Sequence, residues 1–240
     1  MEPQVPGQMP RAGLLLLPLL FCFGPETAGS IDPATLKVIV DYVNQPLTLG
    51  ESQYAFIVSL PREKCNQPNN LQEQLPEAVL SAMNQALSRQ GVPYAPDDSP
   101  IIAARPRRRG AHWQHSEWRL LHGGQNSLVA KLKARTCRLN CCLILFTFNS
   151  PCTSMCLLVN GPYNIIGMTR DAFLDIDNNY KAFVFQRIFH NDTLPPMTRQ
   201  NLLDAWHRLP AVPLLRCNNN GCQDCASVDP QNNPCLAGMM

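Results

Sequence analysis

Apolar positions along the 240-residue chain recur with two periods, and together they mark a short series of elements. Asp32-Pro33 joins a capping side chain to proline at the first helical position. Leu36, Ile39, Val40 and Val43 follow at helical spacing, which predicts a helix over residues 33–44. Tyr54 to Leu60 is a run of strand formers closed by Pro61. Pro76 opens a second helical pattern, with Val79, Leu80, Met83 and Leu87 on one face and Gly91 at its end. Residues 93–106 read as loop, with Ile101 to Ala104 as a short strand inside it. The clearest strand is Cys141 to Phe148, a nearly continuous apolar run of the kind covered on both faces. It leads into Ser150-Pro151-Cys152, where serine as cap and proline at the first position predict a helix carrying Cys152 and Cys156 in its opening turns. Lys181 to Phe189 is a further strand, and Leu202, Leu203, Trp206 and Leu209 predict a helix over residues 201–209. Strands alternating with helices argue for an α/β sheet with helices packed on it.

Beyond Leu215 the apolar periodicity gives way to Asn, Gly and four cysteines, so residues 216–240 read as a disulfide-tied, cysteine-rich tail on a domain of residues 30–215. At the other end, the apolar run Leu14 to Phe23 follows Arg11 and precedes the small residues Thr27-Ala28-Gly29. This is the pattern of a secretory signal peptide over residues 1–29. The run is too short to span a bilayer, and no later stretch reaches the roughly 18 apolar residues that a spanning helix needs. The net charge of +2 makes no case for nucleic acid.

Secretion changes how the 11 cysteines are read. Cys22 lies in the leader, and an even set of ten in a secreted chain implies disulfides. Asn191-Asp192-Thr193 is an acceptor for N-glycosylation and calls for a surface position at Asn191. Two of the ten cysteines also fit other chemistry. Cys152 and Cys156, four apart on a helix, would point the same way and with His115 supply three ligands of a tetrahedral zinc site, the fourth position being left for water. Glu117, two residues from the histidine, would then move protons. The competing reading pairs Cys152 with Cys156 in a disulfide. If they hold metal, Cys65, Cys137, Cys141, Cys142, Cys217, Cys222, Cys225 and Cys235 remain for four bridges of open connectivity. Cys217, Cys222, Cys225 and Cys235 also suit a second, structural zinc, although an oxidising route favours bridges.

His115-Ser116-Glu117, taken with Thr147-Phe148-Asn149-Ser150-Pro151-Cys152-Thr153-Ser154-Met155-Cys156, resembles the signature of the zinc-dependent cytidine deaminase superfamily, in particular its AID/APOBEC and bacterial toxin branches. The resemblance implies a three-layer α/β/α sandwich with a mixed sheet of about five strands. It implies Zn2+ held by His115, Cys152 and Cys156, with Glu117 as proton shuttle. The substrate would carry a nucleobase, as a nucleoside, a nucleotide or a single-stranded nucleic acid, and would lose the exocyclic amine of cytosine or adenine. Three residues separate the cysteines here, where Pro-Cys-x-x-Cys is the commoner spacing. The alternative is a non-enzymatic, disulfide-rich secreted binding protein that keeps the fold. Arg105-Pro106-Arg107-Arg108-Arg109, beside Trp113 and Trp118, reads as a phosphate-contacting segment, as a dibasic processing site of the kind an effector cleaved after Arg108 or Arg109 would carry, or as a solvated basic loop.

Overall fold

The computed structural model describes residue 1 and residues 30–89, 91–137 and 141–239. The expected signal peptide of residues 1–29, apart from residue 1, lies outside the described residues. Helix α1 (Pro33–Asn44) starts where the Asp32 carboxylate accepts from the Thr35 amide at 2.8 Å. Strand β1 (Ala55–Pro61) follows, then the short helices α2 (Arg62–Asn66) and α3 (Leu71–Gln74), and α4 (Glu77–Ser88). Next come β2 (Ile101–Ala104), the three-residue strands β3 (Arg107–Arg109) and β4 (His112–Gln114), α5 (Ser116–Leu121) and α6 (Leu128–Thr136). The second half holds β5 (Cys141–Asn149), α7 (Ile166–Phe173), β6 (Lys181–Arg187), α8 (Arg199–Trp206), β7 (Leu214–Asn218) and β8 (Gly221–Asp224).

Six strands form one mixed sheet in the order β2-β1-β5-β6-β7-β8. β5 runs antiparallel to β1 and parallel to β6, β6 runs parallel to β7, and the two edges are antiparallel. Successive side chains of a strand point to opposite faces, and here both faces are covered. Leu143 and Leu145 of β5, with Ile57, Phe183 and Phe185, pack beneath Leu120, Leu132, Phe173, Leu203 and Trp206 of α5 to α8. Cys142, Ile144 and Phe146, with Phe56, Val58 and Val184, pack against Leu36, Ile39, Val43, Leu80 and Met83 of α1 and α4. The result is an α/β/α sandwich of the cytidine deaminase type. Among the described residues no helix is long and apolar enough to cross a membrane.

Residues beyond 215 do more than trail from the domain, because β7 and β8 extend the sheet by two strands. A Cys217–Cys222 bridge closes their hairpin, and Cys225–Cys235 ties down the segment after it. These four cysteines are therefore spent on bridges and leave no second zinc site. The guanidinium of Arg199 donates to the carbonyls of Pro230, Leu236 and Met239, and that of Arg216 to those of Cys235 and Ala237, which holds the end of the chain on the sandwich. Cys137–Cys141 spans the start of β5, and Cys65–Cys142 joins α2 to that strand across 77 residues.

Two expectations fail locally. The Arg107–Arg109 stretch is not loop but one strand of a separate two-stranded hairpin, turned by Gly110 with φ +61°. The segment from Ser150 to Cys156 is not a helix but a succession of turns. Its helix-starting groups are engaged elsewhere: the Ser150 hydroxyl accepts from the Phe189 amide, the Thr153 amide donates to Asp192, and the Cys156 amide points at Cys152 Sγ. With those donors committed, no i to i−4 ladder can start, and the next helix waits until Ile166.

Removing the long-range bridge tests how far it holds the sandwich together. Replacing both Cys65 and Cys142 by alanine should lower the unfolding free energy by about 2–5 kcal/mol, read as an earlier midpoint in guanidinium titration.

Candidate functional site

Two segments far apart in sequence meet at the end of β5. His115 ends the hairpin segment in an extended conformation and stands as the N-cap of α5, so its ring projects off the helix end while Glu117 turns inward from the first turn. This divergence lets residues only two apart serve one spot. The β5 strand then delivers its C-terminal turns to the same place. Ser150 donates its amide to the Arg187 carbonyl at 2.7 Å, and Asp192 accepts from the Thr153 amide and hydroxyl at 3.0 and 2.6 Å. These bonds fasten the turn to the end of β6.

His115 Nδ1 lies 3.2 Å from Cys156 Sγ and 3.5 Å from Cys152 Sγ, and the ligand atoms of all three residues fall within 4.8 Å of one another. Both thiols are free, whereas the other eight cysteines from Cys65 onward are paired in disulfides. A Cys152–Cys156 bridge is therefore not what the structure holds. The electrostatics of the pair follow from sharing one proton. The Cys156 thiol donates to Cys152, and with His115 alongside this pushes the Cys152 pKa down to about 4 despite its burial. The same bond, together with burial, holds Cys156 protonated, well above the ordinary thiol range. Burial works against a charged His115, but the Cys152 thiolate and Glu117 outweigh it and raise the ring's pKa. No helix starts there, so the thiolate is stabilised by a hydrogen bond and an imidazole rather than by a helix-end field.

Glu117 is buried, and burial raises its pKa against the opposing pull of His115 and Thr147. Its two oxygens differ. Oε1 accepts from the Thr147 hydroxyl at 2.6 Å and from Gln53 Nε2 at 3.2 Å, while Oε2 has no partner. Gln53 Nε2 also donates to Thr147 at 2.8 Å, and Gln53 Oε1 accepts from the Asn149 amide at 2.8 Å. The single amide thus ties the glutamate to the end of β5. Gln53 carries no motif, and Asp192 enters the sequence reading only as the middle residue of the Asn191-Asp192-Thr193 acceptor. Their partners lie 64 and 39 residues away, so no spacing rule could have found them.

A cavity of about 230 Å³ opens onto this cluster, with Gln53, Trp113, Asn149 and Phe189 in its walls and His115, Glu117 and Cys152 at its base. A larger hollow of about 470 Å³ lies between α6 and α7, but its charged lining includes a Lys133–Asp175 ion pair and none of the cluster residues. Trp113 is half exposed at the cavity wall, whereas Trp118 stacks on His122 at 4.0 Å and meets Tyr163 edge-on.

The donor set itself tests whether zinc fits. One imidazole nitrogen and two thiol sulfurs match zinc's preference, three protein ligands would leave a fourth position free, and an orphaned buried carboxylate oxygen lines the same cavity as His115 and Cys152. The residues fit. A mixed sheet between helical layers, with His-x-Glu and a cysteine pair converging at the end of its central antiparallel-to-parallel strand, defines a deaminase-like protein. The chain belongs to the family described as Secreted Novel AID/APOBEC-like Deaminase 1, whose model matches residues 33–239, and it is a secreted protein. No curated protein and no solved structure matches it.

The free-thiol assignment has a direct check. Alkylation of the unreduced, denatured secreted protein, mapped by mass spectrometry, should label Cys152 and Cys156 while the eight other cysteines of the mature chain stay bridged. A peptide linking Cys152 to Cys156 would contradict it.

Proposed function

We propose that the chain is a zinc-dependent hydrolytic deaminase that replaces the exocyclic amine of a cytosine or adenine base by oxygen. The observation that carries this reading is the buried Glu117 with one oxygen clamped and the other free, beside two unbridged thiols and an imidazole at the base of a cavity. His115, Cys152 and Cys156 would hold the ion. Zinc supplies Lewis acidity there, which brings a water's pKa toward neutrality.

The remaining steps belong to the protein. Glu117 Oε2 accepts a proton from the water as its oxygen adds to the amine-bearing carbon, and then returns protons so that the nitrogen leaves as ammonia. Burial keeps the carboxyl's proton affinity high enough for both directions of transfer, and Thr147 with Gln53 stops the group from rotating between them. A purely structural zinc has no use for an open ligand position or for a carboxylate oxygen left unpaired.

Four variants separate these roles. Glu117→Gln should keep stoichiometric zinc and lower ammonia release by roughly 10²–10⁴-fold. Cys152→Ala should lose both metal and turnover. Gln53→Leu should keep the metal and reduce kcat by roughly 10–100-fold, with a smaller effect on KM. Asp192→Ala, which frees the Cys152 turn, should weaken zinc binding by roughly 10–100-fold. The assay is metal content beside ammonia release on a panel of cytosine and adenine nucleosides, nucleotides and single strands. Full activity in Glu117→Gln would sink the mechanism, and a zinc-loaded wild type inert on every member of the panel would favour a binding protein on a deaminase fold.

The same reading of a secreted chain places an N-glycan on Asn191, which is exposed at the start of the turn containing Asp192 and Thr193. Peptide N-glycosidase should increase the gel mobility of the wild type and leave Asn191→Gln unchanged.

A further inference from the structure

The hairpin of β3 and β4 is the feature that neither the core nor the catalytic cluster accounts for. Arg107, Arg108 and Arg109 are all exposed, and none is ion-paired among the described residues. Arg108 reaches only the Gly110 carbonyl of its own turn. Arg105 and Pro106 precede them, so the run Arg105-Pro106-Arg107-Arg108 presents arginine at the first, second and fourth positions before the Arg108–Arg109 bond. We propose that this bond is a cleavage site for a secretory-pathway endoprotease whose acidic subsites accept arginine at those three positions.

The geometry supplies what such an enzyme needs. A protease cleft takes its substrate as an extended strand, adding it as if to a sheet edge. β3 is already extended, and it belongs to a two-stranded sheet separate from the main one, so its outer edge has no strand beside it. Three-residue strands in an isolated pair are marginal in water, so local opening of the hairpin is easy. The half-buried Arg105 donates from its head to the Leu87 carbonyl at 3.3 Å, and its own carbonyl accepts from Arg119 at 2.6 Å, so entering a protease cleft requires these two bonds to break as well as the hairpin to open. In the reaction the C–N bond between Arg108 and Arg109 breaks and water is consumed, its oxygen entering the Arg108 carboxylate and its protons leaving Arg109 with a new amino group.

The fold also determines what cleavage would do. β1 and β2 lie upstream of the bond and β5 to β8 downstream, yet β1 and β5 pair along seven registered positions at the centre of the sheet. Of the four disulfides, Cys65–Cys142 alone spans the cut. The product is a two-chain protein with an intact sandwich. Its site would be shared, with Gln53 on one chain and His115, Glu117, Cys152 and Cys156 on the other. Pro106 and Trp113, both in the cavity wall, would fall on different chains. Cleavage therefore loosens the rim of the cavity while leaving its base in place.

This inference is independent of the metal and of the deamination reading. The test is incubation of the folded, secreted protein with a subtilisin-type endoprotease specific for paired arginines, followed by denaturing gels with and without reductant. The wild type should give two fragments under reduction and one band without it, and the downstream fragment should begin at Arg109. Arg108→Ala, a change at an exposed side chain, should abolish the fragments. The double replacement of Cys65 and Cys142 by alanine, if it is secreted folded, should give fragments that separate without reductant. An uncut wild type, a downstream fragment with another first residue, or equal cutting of Arg108→Ala would overturn the proposal.

Discussion

Coverage of β5 on both faces is the constraint from which the rest of the structure follows. A strand whose alternate side chains feed two separate apolar layers cannot slip by one residue without exchanging the two sets. Its register against β1 and β6 is therefore fixed, and so is the point at which it ends. Chemistry is placed where the burial stops: Thr147 still lies inside the sheet and bonds Glu117, Asn149 is the last strand residue, and Cys152 is three further on. The cluster inherits its precision from the apolar packing behind it.

That inheritance explains which parts were legible in the sequence. The nearly continuous apolar run of Cys141 to Phe148 and the 3.6-residue spacing of α1, α4 and α8 are local signals of burial, and the elements appear where those signals lie, within a residue or three at the ends. The His-x-Glu and the cysteine pair were legible as chemistry because few other residue types make that set. The turn at Ser150 was misread because Ser-Pro is a helix start only if the serine hydroxyl is free to cap. Here Phe189, 39 residues away, claims it. Gln53 was invisible for the same reason: its role is defined by partners on other elements. The strand character of Arg107 to Arg109 was hidden because charge, with no apolar alternation, gave the period nothing to act on.

The cluster and its supports divide the work by distance. His115, Cys152 and Cys156 meet in one cluster, Glu117 stands beside them, and Gln53, Thr147 and Asp192 hold the glutamate and the cysteine turn in place. Each supporting bond crosses between elements, so any loosening of β1, β5 or the end of β6 reaches the site directly. The exposed hairpin is the exception. It contributes to the cavity wall yet belongs to neither apolar layer, so the wall can change independently of the base.

The free thiols raise a different question, that of survival during maturation. The ten cysteines from Cys65 onward meet an oxidising compartment, and two of them, Cys152 and Cys156, are left unpaired. Three of the four bridges join cysteines 4, 5 and 10 residues apart, but Cys152 and Cys156 are also only four apart, so distance along the chain does not distinguish them from the paired cysteines. Only Cys65 and Cys142 must find each other across a long loop while Cys152 and Cys156 are still accessible. Once the sandwich forms, those two thiols are 2% and 0% exposed, and oxidants are shut out by the same layers that position the site. Burial, rather than distance along the chain, is what sets Cys152 and Cys156 apart from oxidant once the fold is made.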